Sequence, residues 1–410
     1  MRAQIMRCSA ILILVILCSP GIAPGADKRS LPFDIDQWLA YSKREDFSWS
    51  VSVSRPYLTF QQRFVVRVSG RISGKRLPES EKGNDLHFLM EVASEDNAKV
   101  AGYAYDNVSV PPDIGEPYDV SFSSSVYLRP GSYTIKLIVY DSVSGKGNVQ
   151  RKHIKVSPLK NDELPELDRD FKDIEFVTQT NEIFQSGREW LPVENSRCLC
   201  VDIVANVPLD RNQGNREEFG RHYSNPVYVL RAASVLSHLG LQNGRIRLTL
   251  LDALQVKTVF IRKNPDSIDW QGTDWDLSYR ENLQTIDYST IKAQTEASAD
   301  LLNLLNKIMK EDECTLKAKS PAKIVIVISG PMKFAERTPV MRFNPGKVTQ
   351  NGTPIHFFYF CIPNSLSLGS SDDDLDEMLN PEELQTYTVL DPRSFRTALA
   401  TFISRLESLE

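Results

Sequence analysis

The sequence predicts a multidomain protein: an N-terminal antiparallel β-sandwich followed by a C-terminal α/β domain with a doubly wound, mostly parallel sheet. Three observations carry this expectation. The chain has 410 residues, 41% of them hydrophobic, enough for more than one packed core. From Phe47 to Val156, short runs of alternating apolar and polar residues are separated by turn residues, with no helical stretch between them. From Arg197 onward, continuous apolar runs alternate with segments of helical periodicity.

The first residues read as an export leader over 1–26. Arg2 and Arg7 precede the short apolar run Ala10–Cys18, and Ser19-Pro20-Gly21 breaks it. The run falls short of the ~20 residues that a membrane span needs and has the size of a signal-peptide core. Small residues at Ala23, Gly25 and Ala26 place cleavage after Ala26. An uncleaved anchor is the alternative. A lipid anchor at Cys18 is disfavoured by the bulky Leu17 before it. Loss of Arg2 and Arg7 takes the net charge from -5 to -7. With no basic stripe, the composition argues against nucleic-acid binding. The expected location is extracytoplasmic, with no membrane span after leader removal.

Residues 27–46 are read as an N-terminal extension and 47–157 as the sandwich. Trp49, Val51 and Val53 alternate with serines, and Phe64–Val68, Leu86–Val92, Val100–Tyr105 and Tyr118–Phe122 continue the strand pattern. Pro130-Gly131 makes a tight turn into Ser132–Tyr140, and Ser144–Gly147 turns that strand into Val149–Val156. This closing hairpin resembles the last one of immunoglobulin-like domains. Tyr133 stands where such domains tie a loop back to the backbone through a tyrosine hydroxyl. Residues 158–196 are acidic, lack clear periodicity and are read as a linker packed locally through Phe176, Phe184 and Trp190.

The α/β domain spans 197–410. Cys198–Val204 is an apolar run interrupted by Asp202, as for a strand buried on both faces. Pro226 opens a helix with Val227, Leu230, Ala233 and Leu236 on one side, and Gly240 is expected to end it. Arg245–Leu254 and Thr258–Arg262 form a strand pair. A helix over Gln294–Glu311 precedes two buried strands, Lys323–Ile328 and Ile355–Cys361. Asp391-Pro392 caps a final helix whose core face is Phe395, Leu399, Phe402 and Leu406.

This order of strand, helix, hairpin, long connection, helix, two strands and helix resembles a von Willebrand factor A domain, with a generic Rossmann-like sheet as the alternative. Arg245–Leu254, Asn282–Tyr288 and Ile324–Pro331 carry the resemblance. Coupled to an immunoglobulin-like domain behind a leader, the arrangement resembles the A-domain-related secreted proteins of acidobacterial type. The resemblance implies a divalent-cation site at the carboxyl end of the sheet. Its pattern is Asp-x-Ser-x-Ser after the first strand, a loop threonine, and Asp-Gly after the fourth. Aligned on Asp202, the motif meets Val204 at the first serine position. Aligned on Asn206, it has no leading carboxylate and ends on Asp210. Ser329-Gly330 replaces Asp-Gly, and Thr285 alone supplies the threonine. A hard cation needs at least one carboxylate to offset its desolvation, so a degenerate site without metal or cofactor is expected.

No nucleophile elbow, phosphate loop, dinucleotide motif or His-Glu-x-x-His occurs. Of the five histidines, His222 lies nearest the predicted crevice, with Asp210 as a partner and Ser329 as a conceivable nucleophile. Asp372, Asp374, Asp376 and Glu383 have calcium-loop spacing, but Glu377 replaces the required glycine, so a solvated loop is expected. Four cysteines, Cys198, Cys200, Cys314 and Cys361, follow the leader; Cys198 and Cys200, two apart on an apolar run, are read as buried thiols. No catalytic residue is assigned. Asp202, Asn206, Asp210, His222, Thr285 and Ser329 are candidates for a ligand-binding face. The expected function is non-catalytic recognition of a protein or cell-surface polymer, with an envelope-assembly component and a hydrolase as alternatives.

Overall fold

The computed structural model describes residues 38, 44–77, 80–96, 101–112, 118–164, 172–177, 191–207, 221–222, 226–252, 257–262, 297–310, 321–333, 352–363, 373–379 and 384–409. The chain divides into two compact units. One comprises Met1–Tyr57, Phe64–Pro158 and Lys172–Thr178, and the other Leu58–Arg63, Leu159–Phe171 and Gln179–Glu410.

The first unit is a two-sheet antiparallel sandwich. Its strands are β1 (Arg44–Glu45), β2 (Ser50–Val53), β3 (Tyr57–Leu58), β4 (Phe64–Ser73), β5 (Asn84–Ser94), β6 (Ala101–Val110), β7 (Asp119–Leu128), β8 (Gly131–Asp141), β9 (Lys146–Val156) and β10 (Ile174–Phe176). One sheet runs β1-β9-β8-β5-β6 and the other β10-β7-β4-β2, with β3 beside β4. Alternation sends Val66, Val68 and Ile72 of β4 inward against Leu86, Phe88 and Met90 of β5 and Ile135, Leu137 and Val139 of β8. Trp49 stacks on Phe122 at 5.7 Å, and its indole N–H donates to Asn148 Oδ1 at 2.8 Å. Gly70 has no room for a side chain, since a Cβ there would lie 2.0 Å from the Phe122 ring. Tyr133 is buried, and its hydroxyl donates to the Arg129 carbonyl at 2.9 Å, the tie expected of a tyrosine corner.

Two short strands come from segments read as an extension and a linker. β1 pairs with β9, and β10 pairs with β7 while burying Phe176 in the sandwich core. Stretches of two and three residues are too short to show a period, so their strand character comes from the neighbouring edges they complete.

Asp141 closes the β8–β9 hairpin. Its carboxylate accepts from the Asn84 side chain (3.1 Å), the Asp85 N–H (2.9 Å), the Val143 N–H (3.3 Å) and the Ser144 hydroxyl (2.5 Å). Burial works against its charged form, but the hydrogen bonds from Ser144, Asn84, Asp85 and Val143 outweigh it, and its pKa lies below the ordinary value of 3.8. A carboxyl lowered on folding contributes stability that is full above the unfolded pKa and is lost as pH falls through the folded one. Asp141→Asn should therefore destabilise the sandwich by about 2–3 kcal/mol at pH 7. It should also flatten the stability loss that the wild type shows below about pH 4. Urea titrations from pH 7 to pH 3 check both effects, and an unchanged acid slope would refute the assignment.

The second unit contains β11 (Leu191–Val193), β12 (Leu199–Asn206), β13 (Arg221–His222), α1 (Pro226–Leu236), β14 (Leu239–Leu241), β15 (Gly244–Asp252), β16 (Lys257–Arg262), α2 (Ala297–Lys310), β17 (Ala322–Ser329), β18 (Met332–Lys333), β19 (Ile355–Cys361), α3 (Asp374–Leu379), β20 (Gln385–Thr388) and α4 (Pro392–Glu407). Its main sheet has the order β16-β15-β12-β17-β19-β20. Every pairing in it is parallel except the β15–β16 hairpin. One face, with Ile203, Ile326 and Phe360, packs with Val229 and Leu236 of α1 and Phe395, Leu399 and Phe402 of α4. The other face, with Val204, Val325 and Tyr359, packs with Leu301, Leu305 and Ile308 of α2 and Leu375 and Met378 of α3. Helices thus cover both faces, as a doubly wound sheet requires. Asp391 caps α4 with a complete capping box closed by Ser394.

Two local expectations are corrected. Helix α1 stops at Leu236, and Gly240 lies inside β14, paired with Pro192. The turn after the helix is held by the Ser237 hydroxyl and His238 Nδ1, which both donate to the Ser234 carbonyl. The Asp374–Leu379 stretch is helix α3, not a solvated loop. Leu375, Met378 and Leu379 are buried, and the acidic residues occupy its first turn, where the helix dipole favours them.

Candidate functional site

The strand order of the main sheet reverses between β12 and β17, and the carboxyl end beside such a reversal is where open α/β sheets bind ligands. The last residues of the strands form a row there. Asn206 ends β12, Ser329 ends β17, and Cys361 of β19 lies opposite both Ser329 and Thr388 of β20. Asn206 Nδ2 donates to Ser329 Oγ at 2.8 Å, and Ser329 Oγ donates to the Gly330 carbonyl at 2.8 Å. Both side chains are buried. Two of the six candidate residues therefore meet, as a neutral amide–hydroxyl contact.

Beside it, the Tyr359 hydroxyl donates to Asp373 Oδ2 at 3.2 Å, and Cys361 Sγ lies 3.9 Å from the same oxygen. Burial, with the negative charge of Asp373, holds the Cys361 thiol up at about 12. Burial also raises Tyr359 well above 10. Both groups stay protonated at neutral pH, and Cys361 is therefore a poor nucleophile.

Asp202 does not reach the rim. It lies four residues before the end of β12, with 3% of its surface exposed. Arg247 Nε donates to its Oδ1 at 2.5 Å, and Lys323 Nζ lies 3.0 Å from its Oδ2. Lys323 Nζ also donates to the Ile308 carbonyl in the last turn of α2. The carboxylate thus ties β12 to β15 and β17, and Lys323 carries the link on to α2. Sequence reading did not identify Arg247 and Lys323, although a signal existed. Asp202, Arg247 and Lys323 each interrupt an apolar strand, and a buried charge requires a buried counter-charge.

The backbone of His222 pairs with Met332, three residues past Ser329. This brings the two segments of the Ser329–His222 pair to one strand ribbon. Ser329 itself is fully buried, and its hydroxyl donates to a main-chain carbonyl. Asp210 and Thr285 lie outside the described residues. Among the described residues, no group of three or more His, Cys, Asp or Glu side chains is placed to hold a metal ion. No helix among them is long and apolar enough to cross a membrane.

Cys200 is disulfide-bonded, which corrects the expectation that it carries a thiol. Its partner lies outside the described residues, and no local spacing announces a bond made at long range. Cys198 and Cys361 carry thiols.

No protein-family model and no curated protein matches the chain. Solved structures show only distant likeness. The structural-genomics target SoR45 is 10% identical, with a TM-score of 0.20 over 29% of this chain and 95% of that one. The sensor domain of the anti-sigma factor RsgI4 from Pseudobacteroides cellulosolvens is 15% identical, with a TM-score of 0.18 over 28% of this chain and 78% of that one. A β-glucuronidase from Bacteroides uniformis is 8% identical, with a TM-score of 0.21 over 68% of this chain and 33% of that one. Likeness at this level fixes no common fold.

Proposed function

We propose that the protein is an exported, non-catalytic recognition protein, whose second unit is an A-domain-like module with a degenerate cation site. The carrying observation is the Asn206–Ser329 hydrogen bond at the point where the strand order reverses. A buried amide paired with a hydroxyl offers a divalent ion no carboxylate, which supports recognition through the rim without a metal. The A-domain-like reading is supported by the six-strand order and by the single antiparallel hairpin at the β16 edge. An immunoglobulin-like lineage for the first unit draws support from the β4, β5, β7, β8 and β9 connectivity and from the Tyr133 tie. Export draws support from the leader-like sequence pattern of residues 1–26 and from the disulfide at Cys200, because such bonds persist in oxidising compartments. The partner would be a protein or cell-surface polymer.

The test is capture of partners from envelope and culture-supernatant fractions by the purified mature chain, with EDTA or with added magnesium. The same partner should be retained under both conditions. Capture that EDTA abolishes and magnesium restores would overturn the cation-independent reading.

A further inference from the structure

One sheet of the sandwich ends in a long strand. Among the described residues, β6 is the last strand of its sheet and pairs only with β5, over Ala101–Val110. The ladder fixes which way its backbone points. The Ser142 N–H donates to the Asp85 carbonyl and the Glu95 N–H to the Ser132 carbonyl, both at 2.9 Å, so the odd-numbered residues of β5 bond on the β8 side. Alternation then bonds the even-numbered residues of β5 and β6 to each other, and the odd-numbered amides of β6 point away from the sheet. Asn107 is one of these. Its N–H donates to Asp106 Oδ1 at 2.9 Å, on the side chain of the residue before it. Asp106 pairs with Phe88 and, by alternation, faces the sandwich interior with it. An inward charge on an edge strand is one of the devices that stop sheets from joining edge to edge. Asp85, His87 and Glu91 of β5 project from the opposite face, and the inward residues of β7 are Phe122, Ser124 and Val126. The charged residue of β10 is Glu175, another acid. Burial, with the charges of Asp85 and Asp106, raises the neighbouring Tyr105 phenol, which stays neutral.

We propose that the β6 edge is an interaction surface for a second copy of this chain, and that the Asp106 carboxylate gates it. Ionised, the carboxylate occupies the Asn107 amide that an incoming strand would use, and it sets a charge on the inward side of the edge. Neutralised, it leaves that amide to pairing. Two copies then join β6 to β6, antiparallel, with Asn107 on the two-fold axis. Each Asn107 N–H donates to the Asn107 carbonyl of the other copy. In that register Asp106 of one copy stands opposite Val108 of the other, an apolar neighbour that accepts a neutral side chain and penalises a charged one. A second copy meets this requirement by its own sequence, whereas a foreign strand with a lysine opposite Asp106 would pair best with the ionised form. Burial holds the Asp106 carboxyl above its ordinary 3.8, with the Asn107 N–H opposing the rise. The neutral form therefore gains share as pH falls toward the carboxylate range, and the chain passes from monomer at neutral pH to dimer in mild acid.

Sedimentation equilibrium of the mature full-length chain at pH 7.5 and pH 4.5 tests this, with amide exchange to locate the contact. Asp106→Asn should tighten self-association at pH 7.5 by roughly tenfold or more for each of the two carboxylates removed. Asp106→Ser, neutral but of different shape, should do the same. Wild type should gain association on passing to pH 4.5, and Asp106→Lys should stay monomeric at both values. Exchange on β6 peptides should slow in the associated forms, while β2 peptides, at an edge of the other sheet, keep their rates. Asn107→Pro added to Asp106→Asn removes the outward N–H and no bond to β5, so it should return the chain to monomer. Four results would each overturn the proposal. They are neutral variants that both stay monomeric, association that survives Asn107→Pro, a dimer whose β6 amides exchange at the monomer rate, and a wild type that at pH 7.5 binds a lysine-bearing extended peptide along β6 more tightly than either neutral variant does.

Discussion

Replacing Asp202 with asparagine should destabilise the α/β unit by about 3–5 kcal/mol, because it leaves Arg247 and Lys323 buried without their shared counter-charge. Side-chain shape is nearly preserved, so the loss is electrostatic and not a cavity effect. Hydrogen exchange in urea, read on peptides from β12 and β17, should show the drop there and leave the sandwich peptides of β5 and β8 at wild-type protection. Asp202→Leu combined with Arg247→Met and Lys323→Met should recover more than half of the loss, since well-packed apolar residues can replace a buried ion network. A single variant within about 1 kcal/mol of wild type would mean that the network contributes little.

The Asp202 network marks where sequence reading stops. The interruption of an apolar run at Asp202 was visible, but its partners lie 45 and 121 positions further on, and only the strand order brings them alongside. Elements defined by local chemistry were legible. The Asp391-Pro392 cap and the spacing of Phe395, Leu399, Phe402 and Leu406 gave α4, and the apolar runs gave β12, β17 and β19. Helix α3 was missed because its acidic residues suggested a loop. The i, i+3, i+4 spacing of Leu375, Met378 and Leu379 was present and pointed to a helix. Of the rim candidates, Asn206 and Ser329 meet because each ends a central strand, a consequence of strand length that apolar runs do encode. The disulfide at Cys200 had no comparable signal, since the choice of bonded cysteine depends on distant chain path.

Phe60 makes the same point through packing. Its local setting, a short segment between two strands of the sandwich, assigns it to the first domain. In the structure, Leu58–Arg63 belongs to the second unit, and Phe60 is 4% exposed within that unit's core. Its ring stacks on Tyr228 at 4.5 Å and lies 5.9 Å from Phe395. Gln62, at a φ of 61°, donates from its amide to the carbonyls of Phe60 and Pro392 and so fixes the turn that presents the ring. Phe60→Ala should cost about 3–5 kcal/mol in the α/β unit, through lost burial and the cavity left between α1 and α4. Phe60→Leu should cost less than half of that, because it refills most of the volume. Urea unfolding followed by exchange on peptides from α1, α4 and β12 tests both variants. If only sandwich peptides lose protection, Phe60 belongs to the first core and the division of the chain is wrong. If α1 and α4 lose protection while β5 and β8 hold, then no fragment that starts after the sandwich carries a complete α/β core.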